Sequence, residues 1–146
     1  MRISAKGDYA IRAMLDLALR HDQGLIPIQD VAQRQGIPQR YLEQVLLLLK
    51  RAGFLASRRG SAGGYRLSRS PEAISVGDVL RAVEGDLVPL ETPRTGPGNG
   101  EVGGDLAELW REVAGAVAAV IDRTTLAVLA ERARARRSPT RAVYHI

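Results

Sequence analysis

Residues 28–69 read IQDVAQRQGIPQRYLEQVLLLLKRAGFLASRRGSAGGYRLSR, and the order of elements in this stretch decides the fold. A short helix from Ile28 to Gln35 turns Val31 and Ala32 inward, and Gly36 ends it tightly. Pro38 suits the first turn of the next helix, because its fixed φ is helical and its missing N–H would be unpaired there anyway. Along that helix Leu42, Val45, Leu46 and Leu49 form an apolar stripe, while Gln39, Arg40, Glu43, Gln44 and Lys50 take the opposite face. A short helix, a turn with glycine and a longer helix is helix-turn-helix spacing, although helix hairpins of ordinary bundles share it. The residues after Gly53 make the pattern more specific. Phe54–Arg58 and Tyr65–Ser68 are short strand candidates, separated by a loop with three glycines and a basic entry at Arg59. That is a β-hairpin wing, with Arg58, Arg59, Arg66 and Arg69 around it.

Upstream, Ser4 is placed to cap a helix running to about Arg20, with Ile11, Met14, Leu15 and Ala18 as its apolar side. The segment HDQGLIP breaks it. Downstream, Ser75 and Asp78 are spaced as a capping box opening a short helix through about Glu84. TPRTGPGNGEVGG, residues 92–104, has the glycine and proline content of an irregular loop. Asp105 with Glu108 restarts a helix in which Leu106, Trp110, Val113, Val117, Val120, Thr124 and Ala127 recur at steps of four and three. That spacing favours a helix packed lengthwise on another helix, and a second copy of the chain is the simplest partner. The expected fold is mostly α with a small β-hairpin. It divides into a DNA-binding region 1–70, a connecting helix 71–91, a loop 92–104, a dimerisation helix 105–130 and a basic tail 131–146.

Charge is distributed along the same lines. The net +5 resolves into +7 over residues 1–70, −6 over 71–130 and +4 over 131–146. A basic first half beside an acidic middle points to a binding region for a polyanion joined to a part with another task. Aromatic residues make up only 4% of the 146, which argues against a base-stacking surface for single strands. No apolar run is long enough for a membrane span and no signal peptide is evident, so the expected location is cytoplasmic, with no membrane partner. There is no cysteine, which removes disulfides, thiolate nucleophiles and sulfur-ligated metal sites, and only His21 and His145 remain for imidazole chemistry. No Ser-His-Asp set, paired carboxylates or metal triad is recognisable, and the wing glycines lack the P-loop pattern. The chain is not expected to be an enzyme, and no cofactor is assigned.

Four stretches carry a resemblance: MRISAKGDYAIRAMLDLAL, RQGIPQRYLEQVL, LLKRAGFLASRRGSAGGYRLSR and ISVGDVLRAVEG are similar to the Rrf-two superfamily of winged helix-turn-helix regulators. LWREV and residues 122–129 also resemble the family's long dimerisation helix and its end. The resemblance implies a dimeric transcription regulator that sets one recognition helix per subunit in the major groove and a wing in the minor groove. It also exposes a departure. Cluster-binding members hold iron and sulfur with three cysteines, and an ungapped comparison puts Thr92, Gly98 and Gly104 opposite them, with Ala107 opposite an auxiliary histidine. None of these side chains replaces a thiolate or imidazole.

The candidate contacts to double-stranded DNA are chosen by their chemistry. Arg40 suits guanine O6/N7 or a phosphate, Gln44 suits adenine N6/N7, and Glu43 suits cytosine N4, with Gln39 beside them. Tyr41 fits a core or a phosphate role equally. Arg59 at a hairpin tip suits a narrow minor groove, with Gly60 and Gly63 shaping the turn. Ser57, Arg58 and Tyr65 are candidate phosphate contacts, as are Arg2, Lys6 and Tyr9 near the first helix's N-terminus. Trp110 reads as a packing residue. The function expected is a homodimeric regulator, foremost a repressor, of a palindromic operator, with 92–104 as the place for a small-molecule or protein effector. The alternatives are a module docking a partner enzyme, and a sensor with non-cysteine metal ligands.

Overall fold

A computed structural model describes residues 3–85 and 100–137. Helix α1 (Ala5–Leu19) starts where Ser4 accepts a hydrogen bond from the Gly7 N–H at 3.0 Å. Its buried face is Ala10, Ala13, Met14, Leu17 and Ala18, whereas Ile11 and Leu15 are only half-buried. The apolar stripe is thus rotated from the one expected. Ala10 and Ala13 share the inner side with the larger Met14 and Leu17, and Ile11 and Leu15 fall at its margin. α1 is central to the molecule and packs on the second, third, fourth and sixth α-helices.

The helix-turn-helix is α2 (Ile28–Gln35) and α3 (Gln39–Arg51). Gly36 takes the left-handed conformation, φ 62 and ψ 38, and the Ile37 N–H reaches back to the Ala32 carbonyl at 3.0 Å. Val31, Ala32, Leu42, Val45, Leu46 and Leu49 are all buried, as the periodicity predicts. Strands β1 (Leu55–Arg58) and β2 (Gly64–Leu67) pair antiparallel, from Leu55 opposite Leu67 to Arg58 opposite Gly64. The wing is anchored to the body by an isolated bridge in which Ile26 and Tyr65 exchange two backbone hydrogen bonds of 2.8 Å.

Gly64 makes that bridge possible, because a Cβ there would overlap the Ile26 carbonyl and the Pro27 nitrogen, both backbone groups. Gly64→Ala is expected to lower stability by about 1–3 kcal/mol, the scale of overpacking a site that cannot yield. A thermal unfolding midpoint equal to the wild type's would refute the close approach.

Helix α4 (Val76–Glu84) opens on the predicted capping box, with Ser75 and Asp78 bonding each other's backbone N–H at 3.0 Å. The long C-terminal helix departs from expectation. It is two helices, α5 (Gly103–Arg123) and α6 (Leu126–Arg136), because Thr124 is extended at φ −88 and ψ 107 and Thr125 caps α6 through the Val128 N–H. Backbone hydrogen bonds from Val76 to Thr124 (2.8 Å) and from Leu126 to Ile74 (2.9 Å) fix this break against the entry of α4. A heptad count cannot see it, since Thr124 and Ala127 keep the spacing across the turn. α5 also starts two residues before Asp105, which lies in the first turn instead of capping it; Val102 precedes the helix without a side-chain cap. Residues 92–99 of the expected loop and the end of the basic tail lie outside the described residues.

The core joins the first and the last of the described helices. Met14 and Leu17 of α1, Leu42, Leu46 and Leu49 of α3, Ile74, and Leu126 of α6 are all fully buried in one cluster. α5 contributes no buried residue.

Candidate nucleic-acid interface

The face of α3 turned away from the core carries Gln39, Arg40, Glu43 and Gln44, all exposed, as the sequence reading expects. Lys50 and Arg51 continue it in the last turn, where cations also complement the helix dipole. Tyr41 stands at the margin. Its ring meets Tyr9 of α1 edge-to-face, centroids 5.4 Å apart at 81°, and the Arg12 guanidinium lies 4.9 Å from the Tyr9 ring centre. This stack ties the α3 N-terminal turn to α1 while leaving Tyr41 partly open to solvent.

In the wing, Arg58, Arg59 and Gly60 are exposed at the end of β1 and in the tip, and Ser57 and Tyr65 are half-buried across from each other in the ladder. Gly63 is buried under the tip, where a Cβ would overlap the Arg58 carbonyl, so its part is to close the turn. Lys6 is half-buried in the first turn of α1, and Arg2 lies outside the described residues. Ser4 Oγ, besides capping α1, bonds the Glu84 carboxylate at the end of α4.

One determinant of the site escapes the periodicity reading. Asp16 sits on the buried face of α1 with its side chain fully out of solvent. Four N–H groups converge on it: Arg34 Nε (3.0 Å) and Nη2 (2.9 Å), Arg20 Nη1 (3.0 Å) and Gln35 Nε2 (3.1 Å). The fork from Arg34 is bidentate, which fixes direction as well as distance. Hydrogen bonding to Asp16 in turn raises the Arg34 pKa above its ordinary value. Arg12 adds a bond to the Gln35 carbonyl at 2.7 Å. The C-terminal end of α2, from which the turn into α3 departs, is therefore held to α1 by charge-assisted bonds. The signal was present in the sequence, because Asp16 falls between Ala13 and Leu17 on the apolar side, where an unpaired carboxylate is costly.

At the far side, α5 leans on α4. Arg81 and Asp122 pair bidentately at 2.7 and 2.9 Å, and this bonding holds the Asp122 carboxyl below the usual carboxylate range. Leu106, Leu109, Trp110 and Val120 are exposed along α5. Trp110 is thus not packed into this chain's own core. His21 is exposed in a short 3-10 turn, and His145 lies outside the described residues.

Residues 3–132 match the Rrf2 family, described as an iron-dependent transcriptional regulator. The chain is 39% identical over 129 residues to the HTH-type transcriptional regulator IscR of Vibrio cholerae, covering 88% of this chain and 75% of that one. It is 38% identical over 130 residues to the HTH-type transcriptional regulator CymR of Bacillus subtilis, covering 89% and 90%. Among solved structures, the global cysteine regulator CymR of B. subtilis superposes with a TM-score of 0.79 at 37% identity, over 90% of this chain and 98% of that one. T. potens IscR gives 0.78 at 33% identity, over 94% and 92%.

Proposed function

This chain belongs to the Rrf2 family of transcriptional regulators, and from that premise we propose that it binds double-stranded DNA as a homodimer and represses transcription at a palindromic operator. The observation that carries the reading is the exposed polar face of α3, with Glu43 and Gln44 one turn after Arg40, beside a wing that presents Arg58 and Arg59. α3 reads base edges in the major groove, and the hairpin tip enters the adjacent minor groove, where Arg59 meets the stronger negative potential. Ser57, Arg58, Tyr65, Lys6 and Arg2 contact phosphates, which set register without carrying sequence information. The apolar side of α5, which has no partner among the described residues, supports a second copy as its occupant, because Leu106, Leu109, Val113 and Val120 fall on one stripe of a 21-residue helix. The chain regulates by binding and is not an enzyme. Residues 92–104 are the proposed effector site.

Iron dependence, as in the Rrf2 family, requires side chains that donate to the metal. The chain has no cysteine, and the described residues hold no group of three or more His, Asp or Glu side chains that converge on a point. Gly104 and Ala107, which stand opposite family ligands, lie in the first turns of α5 and offer no donor atom. A cysteine-ligated cluster does not fit this chain, so any signal it senses takes another route.

Binding to a selected operator and to random duplexes at two salt concentrations tests the proposal. The operator is expected to bind at least roughly a thousandfold more tightly, and both affinities should fall steeply with salt. Equal affinity for every sequence would remove the specific-regulator reading. Arg59→Ala should weaken operators with A·T-rich flanks selectively.

A further inference from the structure

The outward face of α3 holds one residue that polar readout does not use. At about 100° per residue, Leu42, Val45, Leu46 and Leu49 point into the core, and Arg40, Gln44, Leu47 and Arg51 point the opposite way. Leu47 is 43% exposed, in the middle of a row that is otherwise charged or amide-bearing. Neighbouring Leu46 and Leu49 are fully buried and Leu48 is half-buried, so the core already has its leucines and does not draw on Leu47. It stands one turn beyond Glu43 and Gln44, two turns beyond Arg40, and one turn before Arg51.

An isolated apolar side chain on a protein surface needs no explanation, but its place here does have a consequence. Arg40, Lys50 and Arg51 on the same side of the helix favour a phosphate-lined groove as what faces it, which also disfavours an apolar protein partner. Pressed against a groove floor of donors and acceptors, an isobutyl group would strip water from base edges and return no hydrogen bond. The one apolar group on the major-groove edge of the four bases is the thymine C5-methyl. We infer that Leu47 is a specificity-determining residue that reads a thymine methyl in each half-site, a few base pairs from the bases met by Arg40, Glu43 and Gln44. This rests on the proposed DNA-binding function and deepens it: Leu47 adds a preference for A·T at one position without any hydrogen bond.

Because Leu47 is exposed and lies mid-helix, Leu47→Ala keeps the fold; alanine is the better helix former. Duplexes are first selected from a random pool by the wild-type protein. Each thymine of the selected site is then replaced in turn by deoxyuridine, which deletes only the methyl group. The wild type is expected to lose roughly threefold to fivefold in affinity per half-site at one symmetric pair of positions, the worth of burying one methyl. Leu47→Ala should lose a similar factor on the thymine duplex and show no further loss on the uracil duplex. If Leu47→Ala binds as tightly as the wild type, or keeps the wild-type ratio between thymine and uracil at every position, the inference is overturned while specific DNA binding stands. A wild type that selects no sequence overturns both.

Discussion

Asp16→Asn should unfold at markedly lower urea concentration than the wild type, with a loss of about 2–4 kcal/mol in unfolding free energy. The exchange keeps the shape of the side chain and removes the charge that organises Arg34, Arg20 and Gln35. An amide oxygen still accepts, but the amide nitrogen now faces N–H donors, so at least one close N–H···O contact becomes N–H against N–H. Two cations are then left around a neutral group whose position is sealed from solvent. The figure stays below that for a wholly buried triad because the Arg20 and Arg34 side chains keep 25% and 33% of their exposure and can turn partly to water. The same variant should bind DNA more weakly well below its unfolding transition. α2 is only eight residues long, and Asp16 holds both Arg34 and Gln35 of its last turn, so with only the Arg12 bond to the Gln35 carbonyl left intact the α2–α3 turn is less firmly fixed against α1. An unchanged urea midpoint would mean that the network contributes nothing; a lower midpoint with unchanged operator affinity would confine its role to stability.

How far the fold could be read from sequence varies with the range of the interaction that decides each element. α2, α3, the hairpin and α4 are governed largely by local rules: Gly36 in a left-handed turn, Pro38 at the entry of α3, glycines at 60 and 63 in the hairpin tip, and a Ser75–Asp78 capping box. Pro38 differs from expectation only in standing at the N-cap, with ψ 125, instead of in the first turn. These elements lie where periodicity and caps place them. The break at Thr124 is different, because nothing in the local spacing demands it. It exists through backbone bonds to Ile74 and Val76, some fifty residues earlier in the chain, which a pattern along one helix does not contain. α1 shows a third case: that Ala10, Ala13 and Leu17 are buried while Ile11 and Leu15 are only half-buried depends on where four other helices pack against it, which spacing along α1 does not contain. The candidate interface was legible as an exposed polar row on α3 and a basic wing tip. Its supports were less so: the Asp16 cluster joins α1 to α2 through side chains distant in sequence, and the Tyr9–Tyr41 contact joins α1 to α3.

The stripe on α5 carries the other large effect. Leu109→Glu places a charge at a position 44% exposed in the single chain, so the monomer has little reason to lose stability. In a symmetric pair the same surface meets its own copy, and the substitution places two glutamates in one apolar seam, one from each subunit. Analytical ultracentrifugation should find the wild type dimeric and Leu109→Glu monomeric at about 10 μM, with coincident far-ultraviolet circular dichroism. Affinity for a duplex with two half-sites should then fall by roughly a hundredfold or more, because the second contact no longer benefits from the first. Affinity for a single half-site should stay within about twofold. The two duplexes together separate association from recognition: a loss on both would implicate the fold of the helix-turn-helix. A wild type that sediments as a monomer under these conditions would refute the second copy and leave the apolar side of α5 to a different partner. Among the described residues α5 packs chiefly on α4, so its direction follows from that helix and from the Arg81–Asp122 pair. In the proposed dimer, the distance between the two recognition helices would therefore be set by elements outside the proposed DNA contacts.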